Sequence, residues 1–386
     1  MVPAFQLEEI VRDARARTGV PGVAAAAFLD GRVVAVADGV LELGRADPVR
    51  PETPFRIASI SKPFTASLSL SCLEPDARLT GRLSHTAGLR CEQAEPLPEG
   101  AEGLFSYSNA GYWAAGAACE AATGMSFADA MAARILTPLH LAATGYEEPR
   151  APARGHVQDG ETGHRAVPVD AYPVARRASG GLWSTTGDLL AFAAHHLGGP
   201  GPLSAEARAA MREPRSAALG GGYGLGWWVR DAGGRAALDH EGSVAGYQSL
   251  LLLVPEERFA LAVLTNSWRG SGLIRRVVSD LGVSAGAPPP RSEEPQTGVR
   301  PPDVAGTYVL DDAEAHVEAS AAGIFVQESE TDPVTGARIA GPRVAAAELG
   351  GGIFGVAGGR LMSHRLDFPR PGFARIGWLV LPRIVP

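Results

Sequence analysis

The chain has 386 residues, of which 45% are hydrophobic and 20% charged, and its formal net charge is −7. This composition predicts a folded, soluble protein with one large and one small domain, or two to three ordinary ones. Its arginines are scattered, which argues against a nucleic-acid partner, and no apolar run approaches the ~20 residues that span a membrane. Three cysteines without paired spacing and an N-terminus without a signal-peptide pattern predict a cytoplasmic protein with reduced thiols.

The N-terminal part predicts a helix followed by an antiparallel hairpin. Apolar residues recur at helical spacing over Phe5–Thr18, and Gly19 ends the helix. Two apolar runs follow, Val23–Leu29 and Val33–Ala37. They are joined by Asp30-Gly31, a dipeptide typical of tight hairpin turns.

A Ser-x-x-Lys motif, Ser59 to Lys62, comes next. A helix that starts at Ile60 would put Ser59 at its cap and Pro63 in its first turn, where a proline is tolerated. The hydroxyl and the amine would then lie on one face, within hydrogen-bonding reach. Lys62 is the only lysine among 35 basic residues, and a buried lysine, unlike an arginine, can lose its proton. The motif predicts a serine nucleophile with a lysine base, although an N-capping serine beside an exposed lysine has the same spacing.

The middle of the chain predicts helices separated by loops. Residues Thr65–Arg82 are interpreted as short and irregular, with Pro75 as a breaker. Three helices are then predicted: an alanine-rich one after Phe105–Asn109 that ends near Gly124, one opened by a capping box at Ser126 and running to Leu136, and one from Thr185 to His196. Residues 150–177 are interpreted as surface loop with one hairpin at most.

From Gly224 onward the pattern changes to strands. Four runs joined by short loops predict antiparallel pairing: Gly224–Arg230, Arg235–His240, Gln248–Val254 and Phe259–Thr265. An amphipathic helix follows at Leu273–Leu281. The proline-rich segment 285–303 is a linker by composition. Short strand-like runs after it predict a small all-β module, a barrel or a sandwich.

Three motifs occur in one order along the chain: Ser59-x-x-Lys62, Tyr107-Ser108-Asn109 and His240-Glu241-Gly242. In this order they resemble the serine β-lactamase and penicillin-binding-protein superfamily. The chain is most similar to its class C-like branch, which includes D-Ala-D-Ala carboxypeptidases, D-aminopeptidases, family VIII esterases and penicillin-binding-protein-type acyltransferases. The resemblance covers roughly residues 5 to 283.

The resemblance implies an α+β fold, in which an antiparallel sheet flanked by helices is joined by an all-helical subdomain. We therefore expect a β-lactamase-like catalytic domain over residues 1–284 and the linker over 285–303. A small all-β, lipocalin-like barrel domain is expected over 304–386.

The resemblance also implies the catalytic roles. Ser59 would attack a carbonyl and carry the acyl group, and Lys62 would accept its proton. Tyr107 would relay that proton to the leaving group and later activate the incoming nucleophile. The alternative interpretation is that Tyr107 is an aromatic residue packed in the core at the start of a helix.

Four further residues are implied as substrate-binding or oxyanion residues. Asn109 would hold an amide or carbonyl of the substrate, and the amides of Ser59 and Ser243 would bind the oxyanion. His240 would orient Tyr107 or contact a substrate carboxylate, and Gly242 would let the substrate lie close to the strand. An ordinary N-cap at Asn109 and a buried strand histidine at 240 remain alternative interpretations.

The function expected is a serine acyl-enzyme hydrolase of an ester or amide. Class C β-lactamases have lysine where this chain has His240, so we expect poor β-lactam turnover. One alternative is an intracellular biosynthetic acyltransferase that passes the acyl group to an amine, and another is a non-catalytic binding protein on the same fold. No cofactor or metal is expected. The partners are a small-molecule acyl donor and, for a transferase, an amine acceptor, and a homo-oligomer is left open.

Overall fold

The computed structural model describes residues 4–29, 31–160, 163–168, 171–218, 221–282, 304–310, 313–320, 323–331, 338–350, 353–356, 365–370, 373–376 and 379–384. The chain divides into two units. The first consists of Met1–Leu83, Gly111–Arg215 and Tyr223–Gly286, and the second of Ser84–Ala110, Ser216–Gly222 and Ala287–Pro386. The linker predicted at 285–303 lies outside the described residues, and the predicted domain limits stay a prediction.

The described residues contain eight α-helices. They are α1 (Ala4–Thr18), α2 (Ser61–Cys72), α3 (Ala77–Leu83), α4 (Asn109–Thr123), α5 (Phe127–Met131), α6 (Thr186–His196), α7 (Ala205–Arg212) and α8 (Gly270–Asp280). Short 3-10 turns lie at Ala58–Ile60, Val174–Arg176 and Pro255–Glu257, and a π-helical turn lies at Ala132–Leu136. None of the helices in these described ranges is both long and apolar enough to cross a bilayer.

Twelve strands precede the C-terminal part of the chain. They are β1 (Gly22–Leu29), β2 (Arg32–Gly39), β3 (Phe55–Arg56), β4 (His156–Asp159), β5 (Gly163–Ala166), β6 (Trp183–Ser184), β7 (Ser216–Ala218), β8 (Gly221–Tyr223), β9 (Trp228–Asp231), β10 (Ala236–Val244), β11 (Tyr247–Val254) and β12 (Phe259–Thr265). Within the first unit the order β2-β1-β12-β11-β10-β9 forms an antiparallel sheet.

Helices cover both faces of this sheet, so its central strands are apolar at nearly every position. Successive strand residues point to opposite faces. On one face, side chains of β1, β11 and β12 pack with α1 and α8. On the other face the alternate residues of the same strands pack with α2 and α6. Every residue of β12 is buried as a result.

The predicted elements of the sheet are confirmed in type and in order. The hairpin of β1 and β2 places Leu29 opposite Arg32, and β10, β11 and β12 pair as the short loops predicted. The strand predicted at Gly224–Arg230 is shorter in the structure, where β9 covers only Trp228–Asp231.

The interpretation of Thr65–Arg82 as irregular was wrong. Helix α2 continues to Cys72, and a second helix, α3, begins at Ala77. Residues 61–69 are buried on every side, so the amphipathic period that identifies a surface helix is missing. Pro75 does lie between the two helices, and α2 begins at Ser61 after a 3-10 turn rather than at Ile60.

The second unit contains a closed antiparallel barrel. Its strands are β13 (Gly306–Leu310), β14 (Ala313–Ser320), β15 (Gly323–Thr331), β16 (Arg338–Gly350), β17 (Ile353–Val356), β18 (Arg365–Arg370), β19 (Phe373–Ile376) and β20 (Leu379–Ile384). Neighbours in sequence pair, and β13 closes against β20, which makes it an up-and-down barrel. The predicted α+β class with a C-terminal β-barrel is therefore confirmed.

The segment that carries the predicted Tyr107 motif is packed with the barrel strands in this unit. Leu97, Ala101 and Leu104 belong to the same apolar cluster as the barrel interior. The Ser106 hydroxyl accepts a hydrogen bond from the Val380 amide at 3.3 Å. The residues just before Tyr107 are therefore held by the barrel.

Candidate active site

Ser59 and Lys62 meet as the sequence predicted. The Nζ atom of Lys62 lies 3.1 Å from the Oγ atom of Ser59 and donates to the carbonyl oxygen of Ser179 at 3.0 Å. The lysine is fully buried, and the ring of Tyr112 lies over its ammonium group, 5.5 Å from Nζ. The geometry therefore places the lysine nitrogen within reach of the serine proton.

The turn that presents Ser59 is fixed by the segment near residue 182. Strands β3 and β6 pair just before it, the Ile57 amide donates to the Leu182 carbonyl at 3.0 Å, and the Leu182 amide donates to the Ser61 hydroxyl at 3.4 Å. Ala58 has a φ of +47°, a left-handed conformation that costs a non-glycine residue on the order of 1 kcal/mol. The surrounding hydrogen bonds therefore hold a strained backbone immediately before the nucleophile.

Strand β10 runs close against this turn because residue 242 is glycine. A Cβ atom at Gly242 would lie 2.1 Å from the Ile57 carbonyl oxygen and 2.3 Å from the Ser249 hydroxyl. Ser249, opposite Gly242 on β11, donates its hydroxyl to the Ile57 carbonyl at 3.0 Å, with the Gly242 carbonyl at 3.4 Å. The glycine therefore allows close contact between protein backbones, whereas the sequence had suggested a contact with substrate.

Ser243, the next residue on β10, is exposed. Its hydroxyl accepts a hydrogen bond from the Gln248 side chain at 2.8 Å, and Gln248 accepts one from Ser271 at 3.0 Å. These hydrogen bonds orient strand β10 at Ser243, whose backbone amide was predicted to bind the oxyanion. The oxyanion role of the Ser59 and Ser243 amides stays a prediction.

His240 is buried and neutral. Its Nδ1 atom lies 2.7 Å from the Glu241 carbonyl oxygen, which can only accept, so Nδ1 carries the proton. Nε2 then accepts from the Tyr223 hydroxyl at 3.1 Å. Burial, together with the positive charges of Lys62 and Arg230, lowers the pKa of His240 to about 3 against a weaker opposing effect of the Glu241 backbone. An uncharged histidine with both nitrogens engaged is poorly suited to hold a substrate carboxylate.

Three residues that frame Lys62 and His240 were given no role by the sequence. Tyr112 lies on α4, donates to the Leu83 carbonyl at 2.7 Å and is fully buried, which raises its pKa well above the usual range. Ser179, whose carbonyl receives the Lys62 bond, is held by Trp113 through a 2.8 Å hydrogen bond. Tyr223 begins the Tyr-Gly-Leu-Gly-Trp stretch, and this aromatic and glycine pattern was the signal available for it.

Tyr107 and Asn109 belong to the second unit. The ring of Tyr107 packs on His85, with 4.2 Å between ring centroids, and His85 accepts the Ser108 amide at 2.9 Å. Asn109 begins α4, and its side-chain amide donates to the Glu92 carboxylate. His85 thus holds the backbone and the ring of this segment in place. That these two residues form one site with Ser59, Lys62, Gly242, Ser243 and His240 stays a prediction.

Metal-ligating side chains do not gather elsewhere in the part of the chain that the structure describes. Within those residues, no three His, Cys, Asp or Glu side chains lie close enough to hold a metal ion together. His156 and His164 instead make separate hydrogen bonds, His156 to the Asn266 carbonyl and His164 to the Ser267 hydroxyl. Their geometry fits structural roles.

Comparison with known families gives a match over most of the first unit. A family model described as Beta-lactamase matches residues 7–77 and 83–278. Penicillin-binding protein 4 of Amycolatopsis lactamdurans is 29% identical over an alignment of 354 residues, and the match covers 75% of this chain and 93% of that protein. The match to this relative therefore covers more of the chain than the family model does.

Solved structures share the fold. SurE superposes with a TM-score of 0.80 at 24% identity, over 99% of both chains, and its structure with D-Leu gives 0.77. The D-amino acid amidase of Ochrobactrum anthropi SV3 gives 0.60 at 22% identity, over 72% of this chain and 98% of that one. The likeness to SurE thus extends over the barrel as well.

Proposed function

Given that the chain belongs to the beta-lactamase family of serine hydrolases, we propose that it cleaves an ester or amide through an acyl-enzyme on Ser59. The observation that carries this proposal is the 3.1 Å contact between Ser59 and the buried Lys62. A serine hydroxyl becomes a nucleophile when an adjacent base removes its proton. Lys62 is the residue in that position.

In the acylation step, the Ser59 oxygen bonds to the substrate carbonyl carbon while its proton moves to Lys62. The carbonyl π electrons move to oxygen, where the amides of Ser59 and Ser243 are proposed to bind the negative charge. When the tetrahedral intermediate collapses, the C–O or C–N bond to the leaving group breaks and the leaving group takes a proton. Water then attacks the acyl-enzyme and releases the acid.

Tyr107 is proposed to carry the proton between Lys62 and the leaving group. A phenol has a pKa of about 10 in water, so this role requires a nearby positive charge such as the Lys62 ammonium. The motif order and the fixed packing of Tyr107 on His85 support this assignment. Asn109 is proposed to bind the substrate amide.

His240 is proposed to act as a positioning residue rather than as an anion-binding one. It accepts a hydrogen bond from the Tyr223 hydroxyl, and the positive charge of Lys62 acts on it. Because it is neutral, it offers no charge to the carboxylate of a penicillin. We therefore propose substrates without an obligatory carboxylate at this place, and poor turnover of β-lactams.

The second candidate function is transfer of the acyl group to an amine. The observation that favours it is the match to SurE over 99% of both chains, and SurE has been solved with D-Leu, an amino acid that carries a free amine. The D-amino acid amidase has the same fold over a smaller part of the chain. A D-configured amino acid, as amide substrate or as amine acceptor, is thus the substrate class to test first. Homo-oligomerisation and a cytoplasmic location stay predictions.

The test begins with a fluorophosphonate probe and intact-mass measurement of the full chain. We expect one adduct on Ser59 and none on a Ser59→Ala variant. A wild-type chain without an adduct would favour a non-catalytic binding protein. A screen of p-nitrophenyl esters and D-amino acid amides, each with and without D-Leu, then separates the two enzymatic functions. Free acid as the product whatever amine is present would reject the acyltransferase.

A further inference from the structure

The carbonyl oxygen that receives the Lys62 hydrogen bond belongs to a segment held by two helices. Lys62 donates to the Ser179 carbonyl at 3.0 Å, and both residues are buried. On the α2 side, Thr65 donates its hydroxyl to the carbonyl of the preceding residue, Ala178, at 2.7 Å. On the α4 side, the Trp113 indole donates to the Ser179 hydroxyl at 2.8 Å. The acceptor of the Lys62 bond is therefore fixed from both sides.

The hydroxyl of Ser179 is used as an acceptor and as a donor. An indole N–H can only donate, so the hydroxyl accepts from Trp113 and gives its own proton to the Arg176 carbonyl, 3.1 Å away. The Ser179 amide donates to the same carbonyl at 3.0 Å. The guanidinium of Arg176 in turn lies over the Trp113 ring, 5.2 Å from its centroid. These three residues thus form a closed set of contacts next to the oxygen that Lys62 contacts.

Lys62 depends on such a contact because its side chain is long. Its amine ends a flexible four-carbon stem, whereas proton transfer requires the nitrogen to stay within hydrogen-bond distance of the Ser59 hydroxyl. The nitrogen lies 3.1 Å from that hydroxyl and 3.0 Å from the Ser179 carbonyl. A shift of the carbonyl would therefore move the amine relative to the nucleophile.

We propose that Trp113 is a positioning residue for Lys62 and acts through Ser179. This role rests on the proposed function, in which Lys62 takes the proton of Ser59. Without the indole N–H, the Ser179 hydroxyl loses the donor that holds it on the α4 side, and the carbonyl can shift relative to α2. A misplacement of about 1 Å can slow an enzymatic reaction by about 10²-fold.

The main variant is Trp113→Phe, which keeps an aromatic ring beside Arg176 and removes the indole N–H. We expect the maximal acylation rate of a p-nitrophenyl ester, followed by stopped flow, to fall roughly 5- to 50-fold, which is part of the about 10²–10⁴-fold that a general base contributes. The ester concentration at half-maximal rate should change less than about twofold, because the hydrogen bond serves proton transfer and not binding.

A Ser179→Ala variant tests whether the effect passes through Ser179. Alanine keeps the backbone carbonyl that Lys62 contacts and loses the hydroxyl between Trp113 and Arg176. Both single variants remove the same hydrogen bond, so the double variant should be at most about twofold slower than the slower single one. Fold losses that multiply in the double variant would overturn the proposal, because Trp113 would then act by another route.

Trp268 is a matched control for Trp113. It is also half-buried, and the guanidinium of Arg269 lies over its ring at 4.9 Å. Its Nε1 atom, however, makes no hydrogen bond with the described residues. Trp268→Phe should therefore acylate at the wild-type rate. Equal slowing in Trp268→Phe and Trp113→Phe would overturn the proposal, since loss of any stacked indole would then have the same effect.

A fluorophosphonate adduct distinguishes failure of this inference from failure of the proposed function. A wild-type chain that forms no adduct on Ser59 rejects the serine-hydrolase function and the role of Trp113 with it. An adduct on the wild type, together with Trp113→Phe acylated at the wild-type rate, rejects only the role of Trp113. If Trp113→Phe does not fold, as judged by urea unfolding, Ser179→Ala decides: slower acylation supports the proposal and the wild-type rate overturns it.

Discussion

The hydroxyl of Ser249 connects the turn that precedes Ser59 with strand β10, at the residue just before Ser243. It donates to the Ile57 carbonyl at 3.0 Å, with the Gly242 carbonyl at 3.4 Å, and the residue is only 1% exposed. Ile57 comes two residues before Ser59, and Gly242 comes one residue before Ser243. If the amides of Ser59 and Ser243 bind the oxyanion, Ser249 sets the spacing between them.

A Ser249→Ala variant removes this link and leaves the rest of the packing in place. Deleting one partner of a buried hydrogen bond costs about 1–3 kcal/mol of stability. Loss of one oxyanion donor costs about 10²–10³ in kcat, and a displaced donor should cost part of that. We therefore expect kcat to fall roughly 10- to 100-fold while KM changes less than about threefold, because the oxyanion forms only in the transition state.

The assay measures kcat and KM for a p-nitrophenyl ester, together with the free energy of unfolding in urea. Ser67→Ala is the matched control. Ser67 is also 1% exposed and donates to a buried carbonyl, that of Pro63 at 2.8 Å, but this bond stays within α2. We expect the Ser67→Ala variant to keep its kcat within about twofold.

The outcome that would refute the reasoning is specific. A Ser249→Ala chain that loses 1–3 kcal/mol of stability but keeps wild-type kcat would show that the serine only stabilises the fold. An equal loss of kcat in Ser67→Ala would show that any buried hydrogen bond near α2 has the same effect. Either result removes Ser249 from the oxyanion geometry.

Three further predictions follow from the site. Lys62→Arg keeps the charge but cannot accept a proton, so stopped-flow acylation should slow by at least about 10²-fold; a rate within tenfold of wild type contradicts the base role. Gly242→Ala places a Cβ atom 2.1 Å from the Ile57 carbonyl, and we expect a loss of about 1–3 kcal/mol in urea unfolding with a fall in kcat. In the folded chain the pKa of His240 is lowered to about 3. Between pH 6.5 and 3 the unfolded chain therefore binds a proton on this histidine that the folded chain does not bind. Stability should therefore drop as pH falls, by about 2 kcal/mol from pH 7 to 5 for this group, and a His240→Gln variant should show a correspondingly smaller drop.

What the sequence predicted about the site was local. Ser59 and Lys62 are three residues apart, so helical geometry alone brings their side chains together, and the structure has them in contact. The apolar runs of β11 and β12 likewise predicted two strands. The short connection between them predicted that they pair antiparallel. Only the neighbours along the chain were needed in each case.

What the sequence did not predict depends on contacts between distant residues. Ser249 is 192 positions from Ile57, and Ser179 is 117 from Lys62. A single sequence contains no periodicity that connects residues so far apart. The continuation of helix α2 beyond Thr65 was missed for a related reason, since the helix is buried on all sides by several elements and therefore lacks a polar face.

The neutral state of His240 and the role of Lys62 are physically linked. A charged imidazole in this buried place would add a second positive charge beside the amine, and Lys62 is the second-largest cause that lowers the pKa of His240. Because the histidine stays uncharged, a proton taken from Ser59 can reside on Lys62 without that repulsion. A lysine at position 240 could lose its charge only at a higher pH, and it would compete with Lys62 for the neutral form. Histidine at this position therefore fits a site in which one amine performs the proton transfer and the substrate is recognised mainly by uncharged groups.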